Sequence, residues 1–361
     1  MADKPCVLIM AGGTGGHVFP ALSVAGVLSE RGVDVHWLGT AAGIEARLVP
    51  AANIPLHCLN MAGVRGKNPI FRIAALFKAG TAVLQSMRLL RKIKPFCVIG
   101  LGGYASGPGG LAAKILGIPV LIHEQNAVAG TTNRVLAKLA RRCLTGYPIA
   151  LGGAKSCYIG NPVRAEIANI AAPEQRLSGR DQGLRVLVLG GSLGAKAIND
   201  CMVNVWPLLS GLTGVQLWHQ TGRAHEGVVR EAYQAIGAEV RADAFIDDMA
   251  EAYSWADVVI CRAGALTVAE LAAAGLPAIL IPLPHAIDDH QRANAQWFVD
   301  GGAGEILDQK ELTPEALAAR LTDLAAQPAL RLTQAQSARA LAKTDAAEVA
   351  ADYCMEYAHG H

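Results

Sequence analysis

His17 stands where its neighbours give an imidazole something to do. It closes the run Gly12-Gly13-Thr14-Gly15-Gly16-His17, and histidine is the side chain most easily tuned for proton transfer near neutral pH. The glycines before it bring bare backbone N–H groups to the start of a helix, where anionic oxygen is favoured. A histidine there either takes a proton from a reacting group, holds the loop, or binds a phosphate. Comparable groups recur at Gly102-Gly103-Tyr104-Ala105-Ser106-Gly107-Pro108, at His123-Glu124-Gln125-Asn126, at Gly190-Gly191-Ser192-Leu193-Gly194-Ala195, and from Arg262 to Glu270. A single glycine loop decides little, because glycine also serves tight turns and close helix–strand packing. Neither GG-x-GG-H nor GG-S-x-G is the GxGxxG dinucleotide fingerprint, and no loop ends in the Gly-Lys-Ser/Thr of a P-loop. Hydride transfer and nucleotide hydrolysis both weaken accordingly.

The other polar clusters have plainer readings beside the chemical ones. His123 and Glu124 are placed for catalysis or for loop-holding hydrogen bonds, and His219, ending a strand, reads as structural. Asp247-Asp248 reads as a helix-capping pair, and Asp288-Asp289-His290 as an acidic helix start rather than a metal site. No Asp-x-Asp triplet is present, so no metal clamp on a diphosphate is indicated and no metal ligands are assigned. Trp218 and Trp255 read as core.

An alternation of strand and helix must position these groups. Cys6–Ala11 is an unbroken apolar run, as in a strand buried on both faces of a parallel sheet. Further strands are expected at 33–38, 54–59, 96–100, 119–122, 184–189, 215–219, 257–261 and 277–282. A long helix over 70–92 carries large apolar residues on more than one face, interleaved with Arg72, Lys78, Arg88, Arg91 and Lys92. It is either an ordinary packed helix with a basic solvated face or a membrane-contact surface. Strand-loop-helix repetition argues for βαβ units and parallel sheets. The strand-GG-x-x-G pattern of 184–194 repeats that of 7–16, so two similar open-sheet domains in tandem are expected. Gly160-Asn161-Pro162-Val163-Arg164 has linker chemistry. The expected domains are therefore 1–163 and 164–342, with a terminal helix at about 343–358 returning to the first.

Composition agrees with a soluble α/β enzyme: 52% hydrophobic, 17% charged, 39 glycines in 361 residues. No apolar run reaches membrane-spanning length, and residues 1–5 lack the regions of a signal peptide. Eight scattered cysteines without a CxxC pair indicate reduced, mostly buried thiols in a cytoplasmic protein. The net charge of +2 conceals an asymmetry. Residues 1–163 carry 17 Lys and Arg against 5 Asp and Glu, a balance of +12, while the remainder carry 15 against 25, a balance of −10. The basic half suits an anionic membrane, a pyrophosphate or nucleic acid.

Taken in order, the loops at 12–17, 102–108, 123–126, 160–164, 190–195 and 262–270 resemble the MurG family, GlcNAc transferases that convert lipid I to lipid II in bacterial peptidoglycan synthesis. The resemblance spans nearly the whole chain. It implies the GT-B fold, two Rossmann-like domains with parallel sheets facing an interdomain cleft. It also implies inverting transfer of GlcNAc from UDP-GlcNAc to undecaprenyl-pyrophosphoryl-MurNAc-pentapeptide at the cytoplasmic face of the inner membrane, as a peripheral protein. No cofactor is implied. By position, Thr14, Gly15, Gly16, Asn126 and Arg164 would contact the donor, and Ser192 the UDP pyrophosphate. Ile246 would pack at the uracil. Ala265, Leu266, Thr267, Val268, Ala269 and Glu270 would line the nucleotide, with Glu270 accepting from the ribose hydroxyls. Gln291 and Asn294 would contact the sugar; Gly103, Tyr104 and Ser106 would hold the acceptor pyrophosphate; His17 would be the general base. Expected partners are UDP-GlcNAc, lipid I, an anionic membrane surface and other cell-wall or division proteins, and no nucleic acid. The alternatives are another GT-B enzyme, such as a UDP-GlcNAc epimerase or a soluble-acceptor transferase, and a nucleic-acid binder. The last lacks an aromatic-basic motif, with aromatics only 5% of residues.

Overall fold

A computed structural model describes residues 4–59, 69–191, 194–284 and 289–358, with side chains from residue 78 onward in the helix that begins at Pro69. The chain divides into two compact units, one made of residues 1–164 and 343–361 and the other of 165–342.

The first unit opens with β1 (Cys6–Ala11), α1 (Gly15–Glu30), β2 (Asp34–Gly39), α2 (Glu45–Ala51) and β3 (Leu56–Cys58). It continues through α3 (Pro69–Ile93), β4 (Cys97–Gly102), α4 (Ser106–Ile115), β5 (Val120–Glu124), α5 (Thr131–Ala137), β6 (Arg142–Thr145) and β7 (Ser156–Tyr158). The strands form one sheet in the order β3-β2-β1-β4-β5-β6-β7, all pairs parallel. β1 and β4 are buried along their whole length, because helices cover both faces. One face holds Val18, Ala21, Val24 and Leu28 of α1 over Val7, Ile9 and Ile99, together with Ala350, Ala351 and Cys354 from the chain's last helix. The other holds Ala82 and Leu90 of α3, Ala112 and Ala113 of α4 and Leu136 of α5 over Leu8, Met10 and Val98.

The second unit runs α6 (Ala165–Ala168), α7 (Pro173–Arg176), β8 (Leu184–Leu189), α8 (Lys196–Val205), β9 (Val215–Gln220), α9 (Glu226–Ala235) and β10 (Arg241–Asp243). Then come α10 (Met249–Trp255), β11 (Val258–Cys261), α11 (Ala265–Ala274), β12 (Ala278–Leu280), α12 (His290–Asp300) and β13 (Gly304–Ile306). It ends with α13 (Pro314–Ala326) and α14 (Pro328–Leu341), before α15 (Ala346–Met355) returns to the first unit. Its sheet order is β10-β9-β8-β11-β12-β13, again parallel.

Both sheets reverse direction of travel next to their first strand: between β1 and β4 in one, between β8 and β11 in the other. Open α/β sheets bind ligands just beyond the carboxyl ends of strands at such switch points. The sequence's four glycine-bearing loops follow β1, β4, β8 and β11, so each switch point carries two of them.

Several strands are shorter than the apolar runs suggest. The run 277–282 yields only Ala278–Leu280, since Pro277 and Pro282 donate nothing to a ladder. The three-residue strands β7, β10 and β13 had no counterpart in the apolar pattern, because they lie at or near sheet edges and are only half-buried.

Candidate active site

In the first unit the two glycine loops are stacked on one another. β1 and β4 are ladder neighbours, so the loops leaving their carboxyl ends must share space. A Cβ on Gly103 would lie 2.4 Å from the Gly12 carbonyl oxygen, and one on Gly102 2.6 Å from His17 Cδ2. Both residues also have left-handed backbones, with φ of +86° and +106°, which only glycine adopts without strain. Gly102 is thus the seat of the His17 ring. On its other side, His17 Nδ1 sits 3.3 Å from the Gly12 carbonyl. A carbonyl only accepts, so Nδ1 carries the proton and Nε2 is the ring's basic atom. Thr14 starts α1 with extended backbone and makes no side-chain cap, which leaves its first turn open to an anionic group.

Glu45 fixes the first loop. Its carboxylate is fully buried and accepts from the Gly13 N–H at 2.9 Å, the Thr40 N–H at 3.0 Å and the Thr40 hydroxyl at 2.7 Å. Burial alone would raise this carboxyl, but the hydrogen bonds from Gly13 and Thr40 outweigh it and hold the group below its ordinary value. Glu45 carries little signal in the sequence: a lone acid at the start of a seven-residue helix gives no local sign of a partner 32 residues earlier. The residue pattern Thr40-x4-Glu45 after β2 is the one available clue.

The second loop exposes Tyr104, whose side chain is more than half open to solvent. Ser106 is turned the other way. Its hydroxyl is buried between the carbonyls of Met10 and Gly102, at 2.9 and 2.8 Å, and staples the two strands there. Of the trio expected at the acceptor pyrophosphate, Gly103 and Tyr104 lie at the loop surface and the Ser106 side chain does not.

His123, Glu124 and Gln125 build the third polar cluster. Glu124 accepts from the Asn126 N–H and side-chain amide through Oε1, and from Gly130 N–H and Asn133 Nδ2 through Oε2. It therefore shapes the turn that presents Asn126. His123 is buried and donates from Nε2 to the Gly160 carbonyl at 2.9 Å, while Nδ1 faces Gln125 Nε2. Burial lowers its pKa, against smaller opposing effects of Gly160 and Glu124, so it is a neutral strut. Asn161 completes the link by donating to the Gln125 carbonyl. The strut brings Arg164 to α1, with its guanidinium 5.6 Å from the Phe19 ring centre, two residues beyond His17.

In the second unit, α11 is the anchored element. Gly264 is its extended N-cap, without a side-chain cap. Arg262 braces the loop by donating to the Ile281 and Pro282 carbonyls and to Gln309 Oε1, and Asn294 donates to the Ala263 carbonyl at 3.1 Å. At the opposite end, buried Arg176 donates to the Gly275 carbonyl and Arg339 to that of Ala273; cations there complement the helix dipole. Of the run expected at the nucleotide, Leu266, Thr267 and Ala269 are half-buried, while Ala265, Val268 and Glu270 are buried. Glu270 accepts from the Tyr253 hydroxyl at 3.1 Å. Gln291 accepts from the Leu283 N–H. Ile246 is buried in the turn before α10, where Asp248 caps the helix by accepting from Glu251 N–H. Ser192 and Asp288 lie outside the described residues. His219 is buried between Tyr233 and Asn199, and burial takes its pKa down to about 3; it is structural, as its place in the sequence indicated.

Residues 7–145 match the glycosyltransferase family 28 N-terminal domain and residues 185–352 its C-terminal domain. A Pseudomonas fluorescens protein named UDP-N-acetylglucosamine–N-acetylmuramyl-(pentapeptide) pyrophosphoryl-undecaprenol N-acetylglucosamine transferase is 50% identical over 98% of this chain and 99% of its own. A Marinobacter nauticus protein of the same name is 48% identical over the full length of both. The crystal structure of Acinetobacter baumannii MurG superposes with a TM-score of 0.83 at 40% identity, covering 98% of this chain and 100% of that one. A UDP-GlcNAc 2-epimerase from Neisseria meningitidis, at 14% identity and a TM-score of 0.66 over 98% of this chain and 100% of its own, shares the fold alone. Two family domains matched in order, and half the residues held in common over whole chains, make this protein a member of glycosyltransferase family 28 with the GT-B fold.

Proposed function

We propose that this chain transfers GlcNAc from UDP-GlcNAc to the C4 hydroxyl of MurNAc in undecaprenyl-pyrophosphoryl-MurNAc-pentapeptide, giving lipid II and UDP in peptidoglycan synthesis. The observation that carries the reading is the full-length likeness, at 48–50% identity, to transferases named for that reaction. In the transfer, the hydroxyl oxygen bonds to the anomeric carbon from the face opposite UDP. The bond from that carbon to the diphosphate oxygen breaks, and the configuration inverts. The hydroxyl proton passes to His17 Nε2, the atom that the Gly12 carbonyl leaves basic. The departing diphosphate is stabilised by backbone N–H groups at the starts of α8 and α11, with Ser192 adding a hydroxyl. Glu270 takes the ribose, Ile246 the uracil and Gln291 the sugar, and Asn126 and Arg164 are further donor contacts. Asn294, buried, acts by bracing the loop before α11. Gly103 and Tyr104 meet the acceptor pyrophosphate.

The acceptor's lipid implies a membrane. The packed helices α3, α4 and α5 leave Leu84, Leu111, Ile115 and Val135 exposed, among Arg88, Lys114, Arg134 and Lys138. No described helix is long and apolar enough to cross a bilayer. A basic, apolar face of this kind suits an anionic surface, each cation adding about 1 kcal/mol, and supports the reading that the protein sits peripherally at the inner membrane.

The rival within the fold is an epimerase. Purified chain incubated with UDP-GlcNAc alone is expected to form no UDP-ManNAc and to release UDP only when acceptor is supplied. UDP-ManNAc formed without acceptor would overturn the transferase reading.

A further inference from the structure

We propose that Cys6, Asp34 and His36 form a zinc-binding site at the end of the first sheet opposite the glycine loops. Cys6 opens β1 and Asp34 opens β2, and the two are register partners. His36, two residues on, shares Asp34's face of the strand. The Cys6 sulfur, a carboxylate oxygen of Asp34 and a ring nitrogen of His36 all lie within 4.8 Å of one another. Asp34 Oδ2 and His36 Nε2 are 3.3 Å apart. Nitrogen and oxygen ligands at about 2.0 Å from one tetrahedral zinc stand about 3.3 Å from each other, so this pair already has the required spacing.

The remaining ring nitrogen of His36 is also placed as a metal ligand requires. Its Nδ1 faces His57 Nε2 at 3.0 Å, with the two rings stacked at 5.2 Å. A zinc-bound histidine commonly donates its second N–H to a neighbour that fixes its tautomer, and His57 Nε2 is the atom placed to accept it. Thiolate, imidazole and carboxylate together suit borderline-soft zinc rather than calcium or magnesium, which take oxygen. Three protein ligands leave the fourth position to water. Asp34 is about half exposed, giving the ion a path in. On loading, the Cys6 thiol proton leaves to solvent as the Zn–S bond forms. Because β1 rises about 20 Å between Cys6 and the glycine loop, the ion ties the starts of β1 and β2 without touching the transfer chemistry. The ligands are 28 and 30 positions apart in sequence, so no spacing motif announces them.

The full-length chain, stripped of metal, is titrated with zinc against a chromophoric chelator and separately with cobalt. One equivalent of zinc per chain is expected, with a thiolate-to-cobalt charge-transfer band and a higher melting temperature on loading. Cys6→Ser is expected to abolish the band, and Cys6→Ser and Asp34→Asn each to weaken zinc binding tenfold or more. Asp34 is exposed, so Asp34→Asn tests the site even where Cys6→Ser folds poorly. His57→Ala is expected to weaken binding about 10–100-fold. Cys58→Ser, which removes the exposed thiol beside His57, is expected to leave it unchanged. Absence of stoichiometric binding, binding that survives both Cys6→Ser and Asp34→Asn, or loss on Cys58→Ser alone would overturn the proposal.

Discussion

At the scale of single residues, the roles of His17 and Glu270 separate by which kinetic constant each one moves. His17→Ala is expected to lower kcat about 10²–10⁴-fold, the usual worth of a positioned general base, with little change in UDP-GlcNAc affinity. Steady-state kinetics on a lipid I analogue, paired with calorimetric donor binding, checks this; unchanged kcat removes the base assignment. Glu270→Ala is expected to raise the donor KM about tenfold or more, since hydrogen bonds to a charged group contribute about 1.5–3 kcal/mol. Because Glu270 also accepts from Tyr253, Tyr253→Phe serves as the control, with a smaller rise in KM expected. Equal losses in the two variants would show that Glu270 acts by holding α10 and α11 together rather than by binding ribose.

At the scale of elements, the first glycine loop depends on α2 through one buried carboxylate. Glu45→Gln keeps the shape but replaces one carboxylate oxygen by an NH2 that cannot accept, so either Gly13 or Thr40 loses its acceptor, and a stability loss of about 1–3 kcal/mol is expected. The sign of its pH dependence follows from a folded-state value below the ordinary 4.5. Glu45's contribution is complete above about 4.5 and disappears as pH falls through the lowered folded value. The stability gap between the wild type and Glu45→Gln, measured by denaturant unfolding, should therefore hold above about pH 4.5 and narrow as the pH falls below it. A gap that holds constant would contradict the charge-based account of this loop.

Legibility in the sequence also differed by element. Strands β1, β4, β8 and β11 were readable because burial on both faces demands unbroken apolar runs, and their loops because glycine is required where backbones touch. The bracing side chains were not: Glu45, Ser106 and Arg262 act across distances in sequence that no periodicity records. Ser106 shows the difference most plainly, since its position in a glycine loop suggests a ligand contact while its hydroxyl is spent on two carbonyls. His123 and Glu124, open to two readings as residues, became struts once Gly160 and Gly130 were seen beside them.

At the scale of the molecule, the basic half and the exposed apolar residues of α3, α4 and α5 make up the surface proposed to face the membrane. Leu111→Asp with Ile115→Asp is expected to reduce sedimentation with anionic vesicles several-fold while donor binding stays intact, and rising salt should weaken the wild type in the same way. Vesicle binding indifferent to both would remove this surface from the proposal. All of these roles converge on one reaction. Purified chain is incubated with radiolabelled UDP-GlcNAc and a lipid I analogue, and the label in the lipid fraction is followed with its linkage. The expected result is acceptor-dependent, β-linked GlcNAc on MurNAc with one UDP released per transfer. Label that never reaches the lipid, in a preparation that binds UDP-GlcNAc, would contradict it.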